Sequence, residues 1–99
     1  MAVRVLIVED NPVARSFLAR VVRESFSDQL LISEASDLES ARRLIGETQT
    51  TAASAGSAPG GLFKLMMVDL ELPDGNGLEL LAELSRDPAT KIVTTLYSD

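Results

Sequence analysis

The segment MMVDLELPDGNG, residues 66–77, joins the end of an apolar run to a cluster of turn residues. The run LFKLMMV, residues 62–68, is short, continuous and sharply bounded, which is typical of a buried strand in a parallel sheet. Asp69 comes where the strand should end. The turn-favouring residues Pro73, Gly75 and Gly77 follow just after it. The Asp69 carboxylate is therefore either a turn-forming group or a reactive group at the edge of a sheet.

The rest of the chain alternates strand and helix signals around this segment. The other predicted strands are Val3–Val8, Leu30–Ala35 and Lys91–Tyr97. The predicted helices run from Asn11-Pro12 to about Ser25, from Leu38 to Ile45, and from Gly77 to Ser85. This βαβαβαβ order predicts an α/β fold, a doubly wound parallel sheet with right-handed crossovers and helices on both faces.

Two segments carry further predictions about packing. In the first helix the row Val13, Phe17 and Val21, with Leu18 and Val22 beside it, predicts one apolar face. The segment GETQTTAASAGSAPGG, Gly46–Gly61, is small, polar and rich in Gly and Pro, which predicts a flexible surface loop. A loop of that length is either an insertion or a functional loop, and we favour the insertion.

Composition excludes several classes of protein. The chain has 99 residues, of which 45% are hydrophobic, so we predict one domain over residues 1–99. No apolar run is long enough to span a bilayer and no secretory signal begins the chain, so we predict a cytoplasmic protein without membrane contact. Cysteine and histidine are both absent, which excludes disulfides, thiolate metal sites and histidine chemistry. The net charge of −6 argues against direct nucleic-acid binding.

Acidic and hydroxyl residues follow the ends of the predicted strands. The first strand leads to Glu9 and Asp10, the third leads to Asp69, and the fourth carries Thr94 and Thr95. Ligands bind outside the carboxyl ends of parallel strands, and clustered carboxylates raise one another's pKa unless a cation lies between them. Hard oxygen ligands suit Mg²⁺ or Mn²⁺, and a carboxylate beside such an ion can attack phosphorus to form an aspartyl phosphate. The alternative is that the acids only start a helix and form a turn.

Three segments together resemble the receiver domain of two-component response regulators, a CheY-like, flavodoxin-like fold. They are VLIVEDNPVAR (5–15), MMVDLELPDGNGLELL (66–81) and IVTTLYSD (92–99), and the last is similar to NarL/LuxR-type regulators. The resemblance covers the whole chain. It implies phosphoryl transfer from a histidine kinase to this chain, a switched partner-binding surface, and control of transcription. Such a domain catalyses only its own phosphorylation and dephosphorylation, so we expect no enzyme in the usual sense.

The resemblance also implies roles for individual residues. Asp69 matches the phosphoryl acceptor, and Asp10 matches the metal-binding acid, with Glu9 beside it acting directly or through water. The backbone carbonyl of Glu71 would complete the Mg²⁺ shell together with Asp69. Thr95 matches the switch hydroxyl, in preference to Thr94. The residues that match the turn after the acceptor are Pro73 and Gly77.

The chain also departs from the family pattern. The family has five βα units, whereas this sequence ends just past its fourth strand, so we expect it to lack the last βα elements. The fifth-strand lysine and the switch aromatic are then missing. The fourth strand would be an unpaired apolar edge, which predicts a homodimer or a domain-swapped assembly. An output domain, such as a DNA-binding helix-turn-helix, would lie outside this chain.

Two other functions stay open. One is a pseudo-receiver that is never phosphorylated and acts only as an interaction module. The other is a phosphatase of the haloacid dehalogenase type, which also uses an aspartyl nucleophile. That class carries Asp-x-Asp on its first strand, whereas this chain has Asp69-Leu70-Glu71 in mid-chain.

Overall fold

The computed structural model describes residues 2–26, 29–55 and 62–94. Helices and strands follow in the order β1 (Ala2–Val8), α1 (Pro12–Ser25), β2 (Gln29–Ala35), α2 (Leu38–Ala55), β3 (Phe63–Asp69), β4 (Glu71–Leu72), β5 (Gly75–Asn76), α3 (Gly77–Glu83) and β6 (Thr90–Thr94). The predicted alternation is confirmed, and a two-residue antiparallel hairpin, β4–β5, is added after β3. Among the described residues no helix combines the length and the apolar character needed to cross a membrane.

The four longer strands form one parallel sheet in the order β2-β1-β3-β6. Val8 at the end of β1 pairs with Ala35 on one side and with Val68 on the other. Asp69 at the end of β3 pairs with Thr94 at the end of β6. The strands therefore finish nearly level, and the residues that follow them meet at one edge of the sheet.

Helices cover both faces of β1 and β3, which explains why these two strands are apolar at successive positions. Val5 and Ile7 belong to a core cluster that includes α1, whereas Leu6 and Val8 belong to a cluster that includes α2 and α3. All four side chains are at most 1% exposed. The predicted doubly wound parallel sheet is thereby confirmed.

The apolar face predicted for α1 divides into two rows. Leu18 and Val22 are buried against the sheet, as predicted. Val13, Phe17 and Val21 are instead 78%, 56% and 40% exposed. One helix face of limited width packs on the sheet, so residues one position to its side remain in solvent.

The prediction of a loop over Gly46–Gly61 is wrong for residues 46–55, because α2 continues to Ala55. Thr48 is only 9% exposed and its hydroxyl donates to the carbonyl of Leu44 at 2.8 Å, so this part of the helix packs. Gly46 lies within the helix, and a Cβ added there would meet no atom within 4 Å. The remainder of the predicted loop, residues 56–61, lies outside the described residues, as do residues 95–97 of the predicted fourth strand.

Candidate functional site

Three acids meet at the carboxyl edge of the sheet. One carboxylate oxygen each from Glu9, Asp10 and Asp69 lies within 4.8 Å of the others. Glu9 and Asp69 are only 1% and 4% exposed, whereas Asp10 is open to solvent. The neighbouring strands β1 and β3 end at the same level, and this brings together acids sixty residues apart in the sequence.

The Glu9 carboxyl is buried next to two other acids, and this disfavours its ionised form. Burial raises the pKa of its carboxyl to about 7, and the neighbouring Asp69 and Asp10 add to the rise, although the backbone N–H of Asn11 opposes it. That N–H donates to Oε2 at 3.2 Å, and Oε1 is buried with no hydrogen-bond partner among the described residues. A buried acceptor without a partner is costly, and a proton or a cation would satisfy it.

The donor set therefore fits a hard divalent cation. Carboxylate oxygens are the ligands that Mg²⁺ and Mn²⁺ prefer, and the unsatisfied Oε1 atom of Glu9 marks where positive charge is lacking. Within the described residues this is the one group of three or more metal-ligating side chains that converges so closely. An ion here would lie beside the Asp69 carboxylate at the carboxyl end of β3.

The turn after Asp69 is shaped by close backbone contacts. The backbone N–H of Glu71 donates to Oδ1 of Asp69 at 3.3 Å, and the N–H of Gly77 donates to the carbonyl of Leu70 at 2.8 Å. A Cβ at Gly77 would lie 2.1 Å from the carbonyl oxygen of Asp69, so only glycine fits. Pro73 lies in the turn between β4 and β5.

Thr94 and Thr95 are the hydroxyl residues that the sequence predicts near the site. Thr95, the predicted switch residue, lies outside the described residues. Thr94 pairs with Asp69 in the sheet, and its carbonyl accepts a hydrogen bond from the N–H of Leu70 at 3.1 Å. The Thr94 hydroxyl is buried and finds no partner within the described part of the chain.

Sequence analysis missed two residues that support the site. A guanidinium N–H of Arg15 donates to the carbonyl of Glu9 at 2.9 Å, and a second N–H donates to the carboxylate of Glu34 at 2.9 Å. The carboxylate of Asp74 accepts from two backbone N–H groups at the start of α2. Asp74 was visible only as part of a Pro-Asp-Gly turn, because nothing local in the sequence points to a partner on another element.

One comparison with known proteins shows the family. The family model described as the response regulator receiver domain matches residues 5–98. No curated protein sequence matches the chain.

Solved structures share the fold. One similar structure is the MaeR response regulator bound to beryllium trifluoride, with 22% identity and a TM-score of 0.71 over 98% of this chain and 70% of that chain. Another is a mutant receiver domain of the histidine kinase CKI1 from Arabidopsis thaliana, with 22% identity and a TM-score of 0.73 over 97% and 67% of the two chains. A third is a chain from the complex of histidine kinase ThkA with response regulator protein TrrA, with 25% identity and a TM-score of 0.64 over 98% and 72%.

Proposed function

This chain belongs to the response regulator receiver domain family, and from that premise we propose that Asp69 accepts a phosphoryl group from a phosphohistidine on a histidine kinase. The observation that carries the proposal is the buried Asp69 carboxylate at the end of β3, within 4.8 Å of oxygens from Glu9 and Asp10. An Asp69 oxygen forms a bond to phosphorus while the bond from phosphorus to the donor imidazole nitrogen breaks. That nitrogen takes up a proton, and an acyl phosphate remains on Asp69.

A divalent cation, Mg²⁺ or Mn²⁺, is the proposed cofactor. Glu9, Asp10 and Asp69 would hold it by side-chain oxygens, with the backbone carbonyl of Glu71 as a further ligand. Bound there, the ion would neutralise charge on the phosphoryl oxygens. The protein residues orient Asp69: the N–H of Glu71 holds one carboxylate oxygen at 3.3 Å, and Gly77 lets the following helix start directly against the Asp69 backbone.

Phosphorylation would act as a switch. The acyl phosphate carries more charge and more acceptor oxygens than the carboxylate it replaces, so it attracts hydroxyl donors. Thr95 is the proposed switch donor, and it directly follows Thr94, which pairs with Asp69 in the sheet. Movement of such a residue would repack the surface around β6 and change how it binds a partner.

The exposed row on α1 is the proposed contact surface for the kinase. Val13, Phe17 and Val21 leave an apolar stripe in solvent, and exposed apolar patches often mark protein contacts. The stripe begins close to the acid cluster, because Asn11 both caps α1 and donates its backbone N–H to Glu9. A similar fold occurs in a complex of a histidine kinase with a response regulator. A helical kinase partner on this stripe would hold its phosphohistidine near Asp69.

The proposed output is control of transcription by a NarL/LuxR-type regulator acting in the cytoplasm. With a net charge of −6 this chain would not bind DNA itself, so a DNA-binding output domain would lie beyond it. The chain would turn over no substrate other than its own phosphoryl group. The edge strand β6 would let two copies associate as a homodimer or a domain-swapped pair.

Intact-mass measurement after incubation with acetyl phosphate and Mg²⁺ tests the proposal. The wild type should gain the mass of one phosphoryl group, and Asp69→Asn should gain none. Glu71→Gln is the matched control: it should still be phosphorylated, because only its backbone carbonyl is proposed to bind the ion. Failure of the wild type to gain mass, both alone and in a chain extended through a fifth strand, would contradict phosphorylation and favour a pure interaction module.

A further inference from the structure

The β4–β5 hairpin is tied to the first turn of α2 by one side chain. Oδ1 of Asp74 accepts the backbone N–H of Leu38 at 2.8 Å, and Oδ2 accepts that of Glu39 at 3.0 Å. The next free N–H of the helix, on Ser40, is capped by Asp37 at 2.8 Å. Asp74 therefore satisfies two donors at the helix start that the chain around α2 does not satisfy. Its negative charge also lies at the positive end of the helix dipole.

The same turn is pressed closely against the helix. Gly75 has a φ of +153°, and a Cβ at this position would lie 2.7 Å from Cδ1 of Leu38 and 2.8 Å from Oε2 of Glu79. Leu38 is 1% exposed and belongs to the core cluster under α2. The hairpin tip can therefore shift little without breaking both the hydrogen bonds of Asp74 and the packing on Leu38.

The other end of the hairpin lies at the acid cluster. Glu71 begins β4 and donates its N–H to Asp69, and it pairs with Asn76 across the hairpin. Leu72 pairs with Gly75 in the next position. Because the hairpin is only two residue pairs long, the position of its tip sets the position of the Glu71 backbone.

We propose that Asp74 is a positioning residue for the metal centre: it anchors the hairpin on α2, so that the Glu71 carbonyl is held toward the acid cluster and cation binding is coupled to the first turn of α2. The inference rests on the proposed function, in which the Glu71 carbonyl is a cation ligand. Coupling between two sites is reciprocal, so a bound cation must strengthen the contact of Asp74 with α2 by the factor by which that contact strengthens cation binding.

Mg²⁺ affinity, measured by titration calorimetry on the full chain, is the first test. We expect Asp74→Ala to weaken Mg²⁺ binding by about 5-fold to 10-fold, which is within the usual range of coupling between sites. Asp74→Asn keeps one acceptor oxygen and should lie between Asp74→Ala and the wild type. Glu39→Gln is the matched control, because it removes one negative charge from an exposed side chain at the same helix start and leaves the hairpin contact intact.

Amide hydrogen exchange provides a second test. If Asp74 only capped α2, Mg²⁺ would not change the exchange of the amides that it caps. Saturating Mg²⁺ should slow exchange of the Leu38 and Glu39 amides in the wild type and in Glu39→Gln, but not in Asp74→Ala. The wild-type measurement needs no variant, so it stands even if Asp74→Ala fails to fold.

The outcomes separate this inference from the proposed function. A wild type that binds Mg²⁺ while both Asp74 variants bind it equally well, with no change at the two amides, would overturn the positioning role alone. Equal weakening in Glu39→Gln would overturn it too, because charge would then account for the effect. A wild type that binds no Mg²⁺ would overturn the metal part of the proposed function and this inference with it.

Discussion

When no metal is bound, the charge state of Glu9 determines how the acid cluster affects the stability of the fold. Its pKa is about 7, raised from 4.5 mainly by burial. Between these two pH values the folded protein holds a proton on Glu9 that the unfolded chain releases. A buried acid with a raised pKa favours folding when protonated, and this advantage falls as the pH rises from about 4.5 to about 7. Above pH 7 Glu9 is ionised in both the folded and the unfolded protein, and its burial then lowers the free energy of unfolding by a constant amount.

Replacement of this carboxyl by a neutral amide should therefore stabilise the metal-free protein at high pH. Glu9→Gln should raise the free energy of unfolding at pH 8 by at most about 3 kcal/mol, from 1.36 kcal/mol per pKa unit, and by little at pH 4. Urea unfolding in a metal chelator at both pH values measures this. Saturating Mg²⁺ should cancel the advantage of the variant at pH 8, because the cation then pairs with the ionised Glu9. An equal advantage at pH 4 and pH 8 would contradict the assignment of the raised pKa to Glu9.

At the level of helices and strands, the sequence best predicts the strands that are buried on both faces of the sheet. β1 and β3 were recognisable because they are buried on both sides, and Glu9, Asp10 and Asp69 could be brought together because parallel strands end at one edge. The end of α2 was missed, because residues 46–55 are small and polar and show no clear apolar face. The contact of Asp74 with α2 was missed for a different reason, since it joins residues 35 and 36 positions apart.

Because α2 continues past residue 46, Gly46 lies inside a helix, and a substitution there can test this. Glycine inside a helix costs about 0.5–1 kcal/mol relative to alanine, and a Cβ at this position would meet no neighbour. Gly46→Ala should therefore raise the free energy of unfolding by about that amount and increase the helical circular dichroism signal. Denaturant unfolding measures the first effect. Glu47→Ala, at the exposed neighbouring position, should change stability much less, and no gain in Gly46→Ala would contradict a helix that continues past residue 46.

The whole molecule has one side that its described residues leave open. β6 lies at the edge of the sheet, and Ile92 and Val93 on its two faces are 42% and 41% exposed. Beside it lies a cavity of about 370 Å³ between α1 and the sheet, lined mainly by apolar side chains such as Phe26 and Leu65. An open strand edge next to an apolar cavity favours pairing with another chain, whereas a net charge of −6 on each copy opposes it.

These opposing terms predict self-association that depends on salt. Light scattering should show a larger average mass as the protein concentration rises, and more so at 0.5 M salt, where the Debye length is only about 4–5 Å and charge repulsion is screened. Ile92→Lys should reduce this association, because it places a charge on the open edge. Val13→Lys adds the same positive charge on α1, where the wild-type side chain is 78% exposed, and should not reduce it. Since either substitution lowers the net negative charge, weaker association in Ile92→Lys alone would place the contact at β6. Equal association in both variants would place the contact elsewhere, and a monomer at every concentration and salt would contradict the predicted self-association.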